Sequence, residues 1–198
     1  LSNPREAALA FERVKTFHPK SKLAPSALSK AADYFELAKD RDNAKKVLRT
    51  LTQDYASEDI LPARLRLAEF FMAENQFEQA RIECKTVADA SKDNNLKARA
   101  LLLMAQNLVS LNRTQEAENA LNQIIVNLRS STSYHASLLT MGRLKRLGGS
   151  LSEALAAWKA VTDDSLRAPK PVRQDALLEL GDASTMNREY GKGFKYFE

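Results

Sequence analysis

With 198 residues, 44% of them hydrophobic, the chain is long enough for one domain or one continuous solenoid and can bury a core. Six Gly, six Pro and no sustained alternation of apolar and polar residues argue against a sheet protein, and no apolar run approaches the ~20 residues of a membrane span. The net charge of +5 is spread along the chain, as on a solvated helical surface rather than a polyanion-binding stripe, and the lone Cys84 excludes an intramolecular disulfide.

Asn3 to Phe17 read as a helix, with Asn3 as its cap, Pro4 in its first turn and His18-Pro19 as its break. Pro25 opens the next helix, to about Lys39, and Asp42 begins its partner, to about Tyr55. A third unit follows, from Asp59 to Glu74 and from Phe77 to Ser91, turning at Asn75. The fourth runs from Leu96, capped by Asn95, to Leu111, and from Thr114 to Arg129; Thr114, Glu116 and Glu118 suggest a capped, acid-rich start. The fifth runs from Tyr134 to Leu147, turns at Gly148-Gly149, and continues from Ser150 to Val161, with Ser150 and Glu153 as a capping box. After a break expected to be a flexible loop, Asp163 to Pro171, a sixth unit starts near Val172. It turns at Asn187-Arg188 and ends in a helix from Tyr190 to Glu198. That makes about eleven helices. The first is the second member of a pair, and the last carries Gly191 and Gly193, so both ends are expected to cut across a longer array.

The helices repeat. Small residues recur at Ala32, Ala68, Ala105, Gly142 and Gly181, and again twelve residues later at Ala44, Ala80, Ala117, Ala154 and Gly193. Ala7 extends the second series, whose steps are 37, 36, 37, 37 and 39 residues. Larger residues follow four further on, at Phe11, Leu48, Cys84, Leu121, Trp158 and Phe197, and three beyond those at Val14, Leu51, Val87, Ile124 and Val161. Such spacings share one helix face: a small residue where two helices cross, then bulk filling the gap beside it. Asn75, Asn112 and Gly149 keep the same phase and suit a left-handed stop, whereas Lys39 does not, so a looser turn is expected there.

This pattern, with Pro19 closing the first unit, resembles the tetratricopeptide repeat family over essentially the whole chain. The resemblance implies an all-α, right-handed α-solenoid of stacked antiparallel helix pairs, one array over residues 1–198. Arg64, Lys145 and Ser184 depart from it, standing where an apolar residue is usual. It further implies that the first helix of each pair lines a concave wall. That wall would hold a leucine column, Leu65, Leu102, Leu139 and Leu178, beside a polar column, Asp33, Glu69, Gln106, Arg143 and Asp182. With Met72 and Arg146, these are the candidate partner-binding residues, suited to an amphipathic helix or extended peptide. The alternative is that the leucines merely pack against the neighbouring first helix. Members that clamp a chaperone's terminal carboxylate use Lys, Asn and Arg on this wall. Here Ser29, Asp33, Leu65, Arg66, Arg99 and Leu103 hold those places, and Asp33 and Glu69 would repel a carboxylate.

No chemistry-bearing motif stands out. His18 and His135 lack metal-ligand spacing, no glycine loop would cradle a phosphate, and Cys84 takes a core place in its repeat. The reading is therefore a protein-interaction scaffold: no enzyme, cofactor, metal or nucleic acid, but a protein or peptide partner, with dimerisation through exposed solenoid ends as a further option. The junction Phe17 to Ala24 resembles those of bacterial envelope repeat proteins and points to a periplasmic setting. The alternatives are a helical arm of a larger envelope enzyme or exporter, and a nucleic-acid-binding helical repeat, against which Asp33, Glu69 and Asp182 argue.

Overall fold

A computed structural model of the chain describes residues 3–164 and 167–186. The expectations for Asn187, Gly191, Gly193, Phe197 and the last helix lie outside those residues, as do positions 165 and 166 of the expected loop. Ten α-helices are described: α1 (Pro4–Phe17), α2 (Ala24–Leu37), α3 (Arg41–Asp54), α4 (Leu61–Ala73), α5 (Phe77–Ala90), α6 (Asn94–Ser110), α7 (Thr114–Asn127), α8 (Tyr134–Leu147), α9 (Leu151–Asp163) and α10 (Lys170–Met186). A single 3-10 turn, Glu58–Ile60, precedes α4, and no strand occurs among the described residues. The helices group into two compact units, Leu1–Lys92 and Asp93–Glu198. Each is a stack of helix hairpins, so the fold is the all-α helical-repeat class that the spacing indicates.

The small-residue series explains the hairpins. Ala32, Ala68 and Ala105 on the first helices and Ala44, Ala80, Ala117 and Ala154 on the second are all fully buried. Leu48, Cys84, Leu121 and Trp158 are 0% exposed, and Leu51, Val87, Ile124 and Val161 complete the stripe. A methyl or a hydrogen at the crossing lets two backbones approach, and the large side chain one turn on fills the space beside them. The first helix departs from this phase. Ala8, not Ala7, is its fully buried alanine, while Ala7, Phe11 and Val14 are half-buried. No helix precedes α1 among the described residues, so that stripe is covered only in part; Phe11 stacks on Tyr34 of α2, ring centroids 5.6 Å apart.

Within each hairpin the turn is the same device four times. Lys39, Asn75, Asn112 and Gly149 have φ of 59°, 58°, 58° and 80°. In each, the N–H of the following residue returns five positions: Asp40 to the Phe35 carbonyl, Gln76 to Phe71, Arg113 to Leu108 and Ser150 to Lys145, at 2.8–2.9 Å. This is the Schellman stop, which satisfies carbonyls left over at a helix end. The turn at Lys39 is thus as tight as the others, contrary to the looser one expected. Packing of α2 on α3 imposes the left-handed conformation whatever side chain stands there. For a lysine that conformation costs ~1 kcal/mol more than for glycine. Lys39→Gly should therefore raise the urea midpoint, by the equivalent of about 1 kcal/mol.

Caps follow local reach. Asn3 accepts from the N–H groups of Arg5 and Glu6 at 3.1 and 3.4 Å. Asp40 accepts from the N–H of Asn43 at 3.3 Å and from its Nδ2 at 2.8 Å, and the Asn43 side-chain bond holds its carboxyl below the ordinary value of 3.8. Asp93, not Asn95, caps α6, accepting from Asn95 N–H at 2.8 Å; Asn95 Oδ1 accepts instead from Thr132 N–H at 2.9 Å. The caps expected at Thr114 and Ser150 do not form. Thr114 lies inside α7. Ser150 leaves the Schellman turn at ψ 68°, short of the extended conformation from which a hydroxyl reaches the first turn. Asp40, at ψ 74°, bridges the same gap with a longer side chain.

Two departures from the repeat are ion-pair clasps. Arg64 donates to Glu83 of α5 and to the Thr52 carbonyl of α3, both at 2.8 Å. Lys145 reaches Glu118 of α7 at 2.7 Å and Glu153 of α9 at 2.9 Å, and those bonds raise its pKa. Each cation sits where an apolar residue is usual and joins its helix to two others. Ser184 is buried, 7% exposed.

Candidate functional site

The candidate wall is made by α2 and α4 in the first unit and by α6, α8 and α10 in the second. Its leucines do not form one exposed column. Leu65 and Leu139 are 1% and 5% exposed and belong to the core, Leu102 is half-buried, and Leu178 is 54% exposed. Packing against neighbours, the alternative reading of that column, describes Leu65 and Leu139. In the first unit what faces outward is polar: Asp33 is exposed, and Glu69 and Met72 are half-buried. In the second, Gln106, Arg143 and Asp182 are exposed and Arg146 is half-buried.

These polar groups are tied across adjacent first helices. Arg66 of α4 binds Asp33 at 2.7 Å and Glu36 at 2.8 Å, both on α2. In the second unit the signs are reversed. Arg143 of α8 binds Glu179 at 2.6 Å and Asp175 at 3.3 Å on α10, and Arg146 binds Glu179 at 2.6 Å. Glu179 is 8% exposed, so its charge is held by two guanidinium groups rather than by water. Arg146 also lies over the Trp158 ring, 5.4 Å from its centroid. Both faces therefore present charged side chains fixed in position rather than freely moving ones.

One concavity in the first unit was only partly visible in the sequence. A pocket of about 510 Å³ lies at the α2–α3 turn, lined by Glu36, Lys39, Arg41, Arg66, Glu69 and Phe70. Arg41, the first residue of α3, lies over the Phe70 ring at 5.3 Å. The repeat phase placed Lys39 at a turn. The partner helix that makes the turn one wall of a pocket comes thirty residues later and leaves no local trace.

Groups with intrinsic reactivity are engaged structurally. Burial, then the charges of Glu69 and Glu83, push the Cys84 thiol up to about 12, so it stays protonated and packs as a hydrophobe. His135 is buried, its Nε2 3.0 Å from Asp164 Oδ2, and Tyr134 meets its ring edge-on. His18 is exposed. Among the described residues no cluster of three or more His, Cys, Asp or Glu could hold a metal, and no helix is long and apolar enough to cross a membrane.

Residues 26–57, which span α2 and α3, match the family model of the tetratricopeptide repeat. The fold is shared with solved structures at low identity. BtubC from P. vanneervenii is 13% identical with a TM-score of 0.73, over 98% of this chain and 85% of that one. MamA is 20% identical with a TM-score of 0.64, over 84% of this chain and 90% of that one. YrrB, described as a TPR protein with an unusual peptide-binding site, is 16% identical with a TM-score of 0.64, over 96% and 90%. No curated protein matches by sequence. The matched hairpin, α2–α3, is a tetratricopeptide repeat, and its buried small residues and left-handed turn recur in the hairpins α4–α5, α6–α7 and α8–α9, the fold that these solved structures share.

Proposed function

We propose that the chain is a protein-interaction scaffold that takes a peptide or partner protein on the face of its first helices, and carries out no catalysis. The observation that supports this most is the outward display of fixed, opposite charges. Asp33 and Arg66 on one unit and Arg143, Asp175 and Arg146 on the other are held by cross-helix pairs. Partners bind best to groups that need not be ordered on contact. Beside them, Leu102 and Leu178 offer apolar surface, which suits an amphipathic helix or an extended segment. YrrB, with the same fold, has a peptide-binding site by its description.

The test is affinity capture with the wild type against Leu102→Asp and Gln106→Arg, two changes that break no ion pair described above. Captured partners would be identified by mass spectrometry and circular dichroism would confirm the fold. At least a tenfold loss of the same partner in both variants is expected. Undiminished capture by both would remove the first-helix face as the binding surface.

A further inference from the structure

We infer that the pocket at the α2–α3 turn receives an acidic side chain of an extended peptide, held between Lys39 and Arg41. This rests on the scaffold reading and assigns it a place and a partner chemistry. The two cations at the turn give the sign. Three cations, Lys39, Arg41 and Arg66, face two carboxylates, Glu36 and Glu69. Arg66 is taken up by Asp33 and Glu36 on α2. Lys39 and Arg41 have exposed side chains, and among the described residues no carboxylate is paired with either. The guanidinium of Arg41 rests on Phe70, itself 8% exposed, so its position is set before a ligand arrives. Its N–H edge remains for a carboxylate, in the forked geometry that guanidinium groups favour.

Lys39 supplies a second, independent line. Three of the four turns use Asn or Gly at the left-handed position, and this one uses lysine, at φ 59°. The side chain is exposed. The hairpin would accept Asn or Gly at this position at lower cost, so the lysine points to what its ammonium touches in a complex. A volume of about 510 Å³ falls within the ~300–1,000 Å³ range of pockets that hold a ligand group.

The probe is a fluorescein-labelled peptide of alternating Glu and Phe, acetylated and amidated, with a Gln–Phe counterpart and a free-carboxylate form. Fluorescence anisotropy would be read against wild type, Lys39→Gly, Lys39→Gly/Arg41→Gln, and Leu102→Asp/Gln106→Arg. The expected result is a Kd at least tenfold tighter for the Glu peptide than for the Gln peptide. The double variant at the turn should lose at least tenfold, while Lys39→Gly raises the Tm by a few degrees. The Tm of the double variant is read beside its affinity, and loss of binding with a Tm no lower than that of wild type cannot come from unfolding. Equal affinity for the two peptides, undiminished affinity in the double variant, no saturable binding, or binding only of the free-carboxylate form would each overturn the inference. If Leu102→Asp/Gln106→Arg alone abolishes binding, the assignment to the turn falls and the scaffold reading stands.

Discussion

Gly142→Ala is expected to destabilise the second unit by ~3 kcal/mol. A Cβ at Gly142 would stand 2.2 Å from Nε1 of Trp158, 2.6 Å from Cδ1 and 2.7 Å from Cε2. The indole cannot give way. It is fully buried, its N–H donates to the Leu139 carbonyl at 3.3 Å, and the Arg146 guanidinium covers its face. Preceding repeats show the compensation that is missing. Ala32 goes with Leu48, Ala68 with Cys84 and Ala105 with Leu121, whereas Gly142 goes with Trp158: the bulkier partner stands opposite the smaller residue. Trp158→Leu alone would leave a cavity and also destabilise. The pair Gly142→Ala/Trp158→Leu rebuilds the Ala105–Leu121 arrangement and should recover most of the loss. A double-mutant cycle from urea unfolding would then give a coupling of ~2 kcal/mol. An unchanged midpoint for Gly142→Ala would contradict the crossing of α8 on α9.

The size exchange shows what a repeat sequence makes legible. Crossings such as Ala68 on α4 and Ala80 on α5 recur with the same neighbours every 36 or 37 residues, so one hairpin predicts the next. The expectations that failed depend on side-chain reach or on distant partners. Ser150 is the right residue type for a cap, but the preceding turn fixes its backbone short of capping geometry. Lys39 is the wrong type for a left-handed turn and adopts it because the hairpin requires it. The leucine column assumed that every first helix presents the same face. Leu65 and Leu139 turn inward, while Leu178 stays 54% exposed. Charge clasps were the least visible. Arg143 meets Glu179 thirty-six residues on, and Lys145 meets Glu118 twenty-seven residues back. Nothing in the local sequence says which of several carboxylates a long cation will find.

Ala80→Leu should destabilise the first unit by ~2–3 kcal/mol, with Gln79→Leu as its control within ~0.5 kcal/mol. Ala80 is 0% exposed and Gln79, one position away, is exposed. The two variants add the same kind of side chain to adjacent residues of α5, so helix propensity hardly separates them. What separates them is whether the added three carbons meet α4. At Ala80 they enter a crossing where Ala68 is also fully buried, beside Cys84 and Val87. Close-packed interiors have no spare volume for that, and the helices must move apart or the rotamer must strain. Movement there is resisted by the Arg64 bridge from α4 to Glu83, which spans the same pair. The measurement is the urea midpoint of each variant against wild type, with the unfolding slope as a check that the transition is the same. A midpoint for Ala80→Leu equal to that of Gln79→Leu would mean that the alanine series does not mark helix crossings, and the repeat register would have to be redrawn.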